Sequence, residues 1–215
     1  MLQKITAATL LALAAGAVPA ATTRYTLEPN YTQAVFHWDH LGFAHPAAQV
    51  SQGAGELAFD PADPARSSVS VTLPLSTLNT GVPALDEHLK SDDFFDVGKY
   101  PTATFTSVRV SRGAASGHFE VAGDLTLRGV TKPVTLDVTL LKTGTNPRDG
   151  LPTIGFDAAT TLKRSDFGLG KYIPQVGDAI PVRLTSQAAE SRAYAKYLAD
   201  EAEAEKAAAA KDSAH

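Results

Sequence analysis

The sequence of 215 residues predicts an all-β domain of antiparallel strands, arranged as a barrel or as a sandwich. Apolar and polar residues alternate in about nine segments between Tyr25 and Gln187, which is the period of strands that bury one face. Thr and Val dominate these segments, as half-buried pleated surfaces favour. The breaks between them are short and rich in Gly, Pro and Asp, and short connections join antiparallel neighbours.

The first 20 residues are predicted to be a signal peptide. Lys4 supplies a positive charge, the run from Ile5 to Val18 is almost entirely apolar or small, and Ala20 is well placed for cleavage. Because this run has about 14 residues and a helix needs roughly 20 to span a bilayer, the pattern favours an exported protein over a membrane-anchored one. The mature chain would then comprise a β domain at 21–189 and a tail at 190–215.

Strand parity separates the histidines of the first long strand. Phe36, Trp38 and His40 share one predicted face, whereas His37 points to the other. His37 and His40 therefore cannot hold one metal ion together, and no metal site is predicted. His40 either offers a polar contact to a ligand or is a core histidine bonded to a backbone carbonyl.

Residues 80–101, TGVPALDEHLKSDDFFDVGKYP, lie between two alternating segments. A short helical signal at Leu85, His88 and Leu89 precedes an acidic and aromatic cluster at 92–96. Adjacent phenylalanines, here Phe94 and Phe95, are rarely placed in a surface loop unless they are buried. The segment is therefore predicted to form a short helix and an ordered lid.

His88, Ser91 and Asp92 carry the residue types of a nucleophilic triad, but they lie within five residues of each other. Triad members normally meet across a fold, and neither a G-x-S-x-G elbow nor a glycine run for an oxyanion hole is present. The sequence therefore predicts no catalytic site. Ser91 is expected to cap the turn, with His88 near Asp92 or a neighbouring carboxylate.

The segment Arg164-Ser165-Asp166-Phe167-Gly168 permits two interpretations. It is either a structural turn, in which Lys163 or Arg164 pairs with Asp166, or a direct contact to a ligand.

Composition excludes several classes of function. The net charge is −4, or −5 once Lys4 is removed with the leader, so no general attraction for nucleic acid is expected. The absence of cysteine excludes a disulfide framework and thiol chemistry. A domain of this length can bury a sufficient core without disulfides.

The tail, residues 190–215, is rich in Ala, Glu and Lys and has no Gly or Pro, which predicts a helix. Its large apolar side chains, Tyr194, Tyr197 and Leu198, share one face. The helix is either solvated and weakly docked through these three residues, or it binds a partner or covers the domain.

Several spaced motifs resemble the YceI-like family of periplasmic, lipocalin-like barrels that bind polyisoprenoids. The motifs are His40-Leu41-Gly42, Asn79-Thr80-Gly81, the run from His88 to Asp96, Lys99-Tyr100-Pro101, the runs from Gly123 to Leu127 and from Gly129 to Val134, and the run from Arg164 to Gly168. The resemblance covers roughly Tyr25 to Ala189. It implies an antiparallel barrel of about eight strands, an internal lipid channel and residence in the periplasm.

Two positions depart from the family pattern. The family often has His-Ser at the start of the first long strand, where this sequence has Tyr31-Thr32. It commonly has Arg-Asp before the His-Leu-Arg/Lys-Ser motif, where this sequence has Leu85-Asp86. The sequence therefore lacks the Arg on which one head-group contact of the family pattern would depend.

The resemblance and the strand parity together place a set of side chains around the channel. These are Phe36, Trp38, His40, Phe105, Phe119, Val121, Leu125, Leu136, Val138, Phe156 and Phe167, with Phe94 and Phe95 in the lid. His88, Asp92, Arg164 and Asp166 are candidate polar contacts. A one-residue slip of register would invert the assignments on the strands.

The expected ligand is a polyisoprenoid or another long-chain lipid, such as a quinone, with no other cofactor. Partners compatible with this function are a membrane-protein donor or acceptor and a second copy of the chain. The alternatives are a structural or interaction protein, which uses the barrel surface and the tail, and an enzyme that modifies a lipid.

Overall fold

A computed structural model describes residues 22–212, so the predicted signal peptide at 1–20 lies outside the described residues. Ten strands lie within this range, together with two α-helices. The strands are β1 (Thr23–Leu27), β2 (Gln33–His37), β3 (Ala47–Val50), β4 (Ala54–Phe59), β5 (Ser68–Pro74), β6 (Thr102–Arg112), β7 (His118–Leu127), β8 (Val130–Thr145), β9 (Pro152–Lys163) and β10 (Ala179–Glu190). The helices are α1 (Pro83–Lys90) and α2 (Ser191–Asp212).

Eight of these strands close into an antiparallel barrel in the order β1-β4-β5-β6-β7-β8-β9-β10. The first and last strands close the ring, because Tyr25 pairs with Glu190 and Leu27 pairs with Ala188. The predicted antiparallel barrel of about eight strands is thus confirmed, and the sandwich alternative is wrong.

The remaining strands, β2 and β3, extend the sheet beyond β10, because β2 pairs with β10 and β3 pairs with β2. A 3-10 turn at Pro29–Tyr31 separates β1 from β2, and both strands then pair with β10, through Leu27–Ala188 and Thr185–Gln33. β3 and β4 are separated at Gly53, where a Cβ atom would lie 2.6 Å from Cγ2 of Thr32. These two interruptions explain why the structure has ten strands where the sequence predicts about nine.

The lid follows α1 directly. Pro83 begins this helix, where the missing N–H of proline has no cost, and Ser91 ends it by donating its N–H to the carbonyl of Glu87. The carbonyl of Ser91 accepts the N–H groups of Phe94 and Asp96, so residues 91–96 form a bonded turn. Phe95 is buried and packs on Phe36, with ring centroids 6.0 Å apart. The predicted helix and lid are therefore present.

The tail forms α2, as its composition predicts. Tyr194 and Tyr197 are half-buried on the barrel, whereas Leu198 and the residues that follow it up to 211 are exposed. No helix within residues 22–212 has the length and apolarity needed to cross a membrane. Binding of a partner by α2 stays a prediction.

Candidate ligand-binding cavity

Two adjoining apolar spaces lie inside the barrel. The larger has a volume of about 330 Å³ and the smaller a volume of about 120 Å³. Five side chains line both spaces and mark the junction between them: Val71, Leu73, Phe105, Leu136 and Leu184. An eight-stranded barrel is wide enough to hold one slender ligand in this way.

The larger space reaches the surface at one end of the barrel. His40 and Tyr172 line it and are both exposed, so we call this end the mouth. Ile180 of β10 lines the larger space and Ala188 lines the smaller one. The strand therefore runs away from the mouth, and α2 begins at the opposite end of the barrel.

All thirteen side chains predicted to surround a channel line these spaces. Those at the larger space are Phe36, Trp38, His40, Phe94, Phe95, Phe105, Leu125, Leu136 and Phe167. Those at the smaller space are Phe119, Val121, Val138 and Phe156, together with Phe105 and Leu136. Of the candidate polar contacts, His88 and Arg164 line the larger space, whereas Asp92 and Asp166 are exposed and line neither.

His40 lies at the mouth for a different reason from the one that the sequence suggests. β2 ends at His37, so strand parity does not apply to His40. The chain instead turns back between His40 and Ala44, with Leu41 and Gly42 in left-handed conformations. The N–H of His40 donates to the carbonyl of Ala44.

The sequence prediction missed other lining residues. Val71, Leu73, Leu162, Val182 and Leu184 follow the same alternation along β5, β9 and β10, so the pattern contained their signal. Leu85, Leu169, Tyr172 and Val176 belong to α1 and to the loop after β9, where no alternation indicates which side chain points inward.

Three rings meet at the mouth and join the lid to the loop after β9. The His88 and Phe94 centroids lie 5.0 Å apart, and Tyr172 lies 6.5 Å from His88 and 6.3 Å from Phe94. We call His88, Phe94 and Tyr172 the mouth cluster. His88 thus packs against aromatic rings at the opening of the larger space.

An ion pair between Asp93 and Lys171 spans the same two segments beside the mouth cluster. The hydrogen bond from Lys171 lowers the pKa of the Asp93 carboxyl, and the same bond raises the pKa of the Lys171 ammonium. Lys171 directly precedes Tyr172, so the pair and the ring cluster hold the lid to the loop together. The sequence prediction included neither partner.

Arg128 ties the lid to a third segment. It lies in the tight turn between β7 and β8 with a left-handed φ of 51°. Its Nη2 donates to the carbonyl of Asp92 at 2.7 Å, and its Nη1 donates to the carbonyl of Gly168 at 3.1 Å. The side chain of Asp92 is exposed, but its backbone carbonyl accepts the bond by which Arg128 positions the lid.

Arg164 is buried and organises the loop that carries Tyr172 and Val176. Its guanidinium donates to the carbonyls of Gly177, Lys171 and Val176 at 2.8–2.9 Å, and also to that of Leu169. Burial lowers the pKa of Arg164, and the charge of Asp178 partly opposes this shift. Because these donors bond to backbone oxygens of residues 169–177, the guanidinium holds the loop together.

The carboxylate that bonds to the turn at residues 164–168 is that of Asp178. The interpretation of this segment as a structural turn instead pairs Asp166 with Lys163 or Arg164. Ser165 donates its N–H and its hydroxyl to Asp178, at 2.9 and 2.8 Å, and these bonds lower the pKa of Asp178. Arg164 has its donors on carbonyls, so it is not available to Asp166.

His88, Ser91 and Asp92 do not form a relay. The hydroxyl of Ser91 donates to the backbone carbonyl of His88 at 2.7 Å, while the His88 ring packs against Phe94. Within residues 22–212 no cluster of three or more His, Cys, Asp or Glu side chains could hold a metal ion.

A closed antiparallel barrel around an elongated apolar cavity defines the lipocalin-like class of binding folds. A family model described as the YceI-like domain matches residues 25–188. The chain therefore belongs to the YceI-like family, and the resemblance inferred from the motifs is confirmed.

Individual relatives agree with this assignment. A UPF0312 protein of Pseudomonas paraeruginosa is 38% identical over 172 residues, covering 79% of this chain and 88% of that protein. BcnA of Burkholderia cenocepacia shares the fold at 24% identity with a TM-score of 0.65, over 73% of this chain and 95% of BcnA. A polyisoprenoid binding domain from Saccharophagus degradans shares it at 18% identity with a TM-score of 0.58, over 77% and 98% of the two chains.

Proposed function

We propose that the barrel binds one polyisoprenoid or similar long-chain lipid, with its tail lying along the two adjoining spaces from the mouth inward. The observation that carries this proposal is the pair of adjoining apolar spaces, of about 330 and 120 Å³, which share five wall residues and of which the larger reaches the surface at the mouth. A structural neighbour described as a polyisoprenoid binding domain supports the same class of ligand.

Burial of hydrocarbon supplies enough free energy for such binding. Each isoprene unit adds five carbons, which is about 3–4 kcal/mol gross at roughly 0.8 kcal/mol per buried carbon group. Four units therefore contribute about 12–16 kcal/mol, against association costs of roughly 4–15 kcal/mol. Useful affinity thus requires no charged contact. Because apolar burial has no direction, selectivity comes from the length and width of the cavity.

We expect the polar end of the lipid to lie at the mouth. His40 and His88 line this end and offer hydrogen bonds to a head group, whereas the donors of Arg164 are occupied by carbonyls. We therefore expect head-group identity to affect affinity weakly. The site is proposed to bind and release its ligand without a chemical step, since the hydroxyl of Ser91 is engaged with the backbone.

The biological role that we propose is to carry or store the lipid outside the cytoplasm. The signal-peptide pattern at residues 1–20 supports export to the periplasm. A membrane-protein donor or acceptor and a homodimer stay predictions.

Native mass spectrometry of the protein purified from cells, followed by lipid extraction, tests the proposal. We expect a bound mass that the extract identifies as an isoprenoid lipid. A second measurement uses quinones of increasing tail length and the fluorescence of Trp38, the one tryptophan of the sequence, which lines the larger space. Affinity is expected to rise with tail length; equal affinity for short and long tails would contradict a tunnel.

A further inference from the structure

The turn between His40 and Ala44 presents apolar side chains to solvent beside the mouth. Phe43 is 92% exposed and Leu41 is 50% exposed. Across the opening, Tyr172 is also 50% exposed. We call Leu41, Phe43 and Tyr172 the mouth rim. Large apolar side chains grouped at one opening indicate an interaction surface, because scattered single residues would be the ordinary case.

The turn is held firmly although its tip is exposed. The N–H of Leu41 donates to the carbonyl of Gln175 at 3.1 Å, which fixes the turn to the loop that carries Tyr172. The N–H of Gly177 donates to the carbonyl of Asp39 at 2.9 Å, which adds a second tie. The two sides of the mouth rim are therefore parts of one bonded unit.

The backbone donors of the turn are satisfied within the protein. The N–H groups of His40 and Phe43 donate to the carbonyls of Ala44 and His40, and that of Gly42 donates to Oδ1 of Asp39 at 3.1 Å. With the bond from Leu41 to Gln175, four consecutive N–H groups from 40 to 43 have partners. A segment with paired donors can leave water without the penalty of unpaired N–H groups.

Charged side chains lie beside the mouth rim and not on the tip of the turn. Oδ2 of Asp39 lies 3.7 Å from Nε2 of His45, and Asp93 is paired with Lys171. The residues from 41 to 44 carry no charge. The tip of the turn therefore presents exposed apolar side chains without a charged one among them.

We propose that the mouth rim enters the boundary between head groups and acyl chains of a zwitterionic lipid bilayer, so that a lipid passes between the bilayer and the cavity without crossing water. The rim is continuous with the cavity, since His40 and Tyr172 belong to both the rim segments and the lining. This docking presupposes the lipid binding proposed above. A protein partner is less suited to the tip, because a typical protein interface uses about ten hydrogen bonds and the turn has its donors already paired.

Binding to phosphatidylcholine vesicles tests the docking. Burying one Phe side chain corresponds to a change of roughly tenfold to a hundredfold in partitioning. Phe43→Ser is therefore expected to lower co-sedimentation with the vesicles by at least about tenfold. The matched control is Val108→Ser, which changes another apolar residue, 70% exposed, on the barrel wall at the bulge in β6. Equal loss in both variants, or no loss in Phe43→Ser, would overturn the proposal.

A depth measurement gives an independent readout. In a Trp38→Phe/Phe43→Trp variant the one tryptophan lies at the tip of the turn. Phosphatidylcholine vesicles are expected to shift its emission to shorter wavelength, and phosphatidylcholine brominated on the acyl chains is expected to quench it. Emission that stays that of a water-exposed tryptophan in the presence of vesicles would overturn the proposal.

Solution binding separates failure of the docking from failure of the lipid site. A short-tailed quinone added without vesicles is expected to quench Trp38 equally in the wild type and in Phe43→Ser. If the quinone binds but both proteins co-sediment equally with vesicles, the docking fails while the proposed function stands. If no quinone of the tail-length series binds, the proposed function fails whatever the vesicle result. A wild-type dimer that Phe43→Ser converts to a monomer without vesicles would identify self-association and overturn the docking.

Discussion

The ring of Phe105 lies directly against the backbone of Gly123 on the neighbouring strand. A Cβ atom at position 123 would be 2.4 Å from Cζ of Phe105 and 2.5 Å from the carbonyl oxygen of Thr106. The missing side chain of Gly123 therefore makes room for a ring that stands at the junction of the two apolar spaces. A glycine in β7 thus leaves the space that the Phe105 ring occupies between the two spaces.

Gly123→Ala is expected to destabilise the barrel and to displace Phe105. The new methyl group would meet both the ring and a backbone oxygen, and overpacking of this kind costs about 1–3 kcal/mol. Urea unfolding measures the stability, and quinone quenching of Trp38 measures whether long tails still enter. Gly98→Ala, at an exposed turn with nothing within 4 Å of the new Cβ and no left-handed backbone, is a comparison for loss of glycine alone. Unchanged stability in Gly123→Ala would show that the ring moves freely.

Phe105→Leu is expected to widen the junction between the two spaces. The shorter side chain removes part of the wall that both spaces share, so long isoprenoid tails should gain affinity relative to short ones, at a stability cost of about 1–2 kcal/mol. Phe119→Leu is the matched control, because Phe119 lines the smaller space alone. An identical shift of tail-length preference in both variants would show that the junction does not limit the tail.

The sequence predicts the barrel walls well because a strand has a strict period of two. Phe119, Val121 and Leu125 face the interior together, and one register in β7 carries all three. Bulges could have inverted such assignments, but those of β6 and β8 fall at Val108 and Leu141, beyond the predicted lining residues Phe105, Leu136 and Val138. The alternation at these residues is therefore preserved.

The mouth is less predictable because it is built from turns. Arg164 holds the loop that carries Tyr172 by donating to the carbonyls of Lys171 and Val176. No local pattern in the sequence predicts these two hydrogen bonds. Arg128 acts on the lid from 36 positions away in the sequence. Sequence motifs identify Arg164, but the target of its guanidinium depends on how the loop folds.

The pair between Asp93 and Lys171 is expected to slow release of the ligand over a defined pH range. The hydrogen bond from Lys171 lowers the pKa of the Asp93 carboxyl below 3.8. The slowing of release that depends on ionised Asp93 is therefore complete above pH 3.8 and is lost as the pH falls through the lowered pKa. The pKa of Lys171 is raised above 10.5. The slowing of release that depends on protonated Lys171 is therefore complete below pH 10.5 and is lost as the pH rises through the raised pKa.

Stopped-flow release of a quinone measures this effect. Because the pair is exposed, Asp93→Asn is expected to accelerate release by a factor of roughly two to five at neutral pH and to remove the acid-side change in rate. Asp166→Asn is the control, since Asp166 is exposed and lines neither space. A rate in Asp93→Asn that equals the wild-type rate at neutral pH would contradict a role for the pair in closing the mouth.

Arg164→Met is expected to loosen the loop between β9 and β10. The methionine fills similar space but leaves carbonyls of the loop without donors, and each unsatisfied buried polar group costs about 1–3 kcal/mol. Stability should therefore fall by roughly 3 kcal/mol or more. Arg164→Lys should restore little, because one ammonium cannot reproduce the planar fork that reaches Gly177, Lys171 and Val176 together.

Hydrogen exchange distinguishes this local effect from general destabilisation. The amide of Val176, which donates to the carbonyl of Tyr172 at 2.8 Å, should lose protection in Arg164→Met. Amides of β7, such as that of Val121, should keep theirs under conditions where the variant remains folded. Because Tyr172 belongs to the mouth cluster, the same variant should also release a bound quinone faster. Full rescue of both readouts by Arg164→Lys would show that the charge alone, and not the shape of the guanidinium, holds the loop.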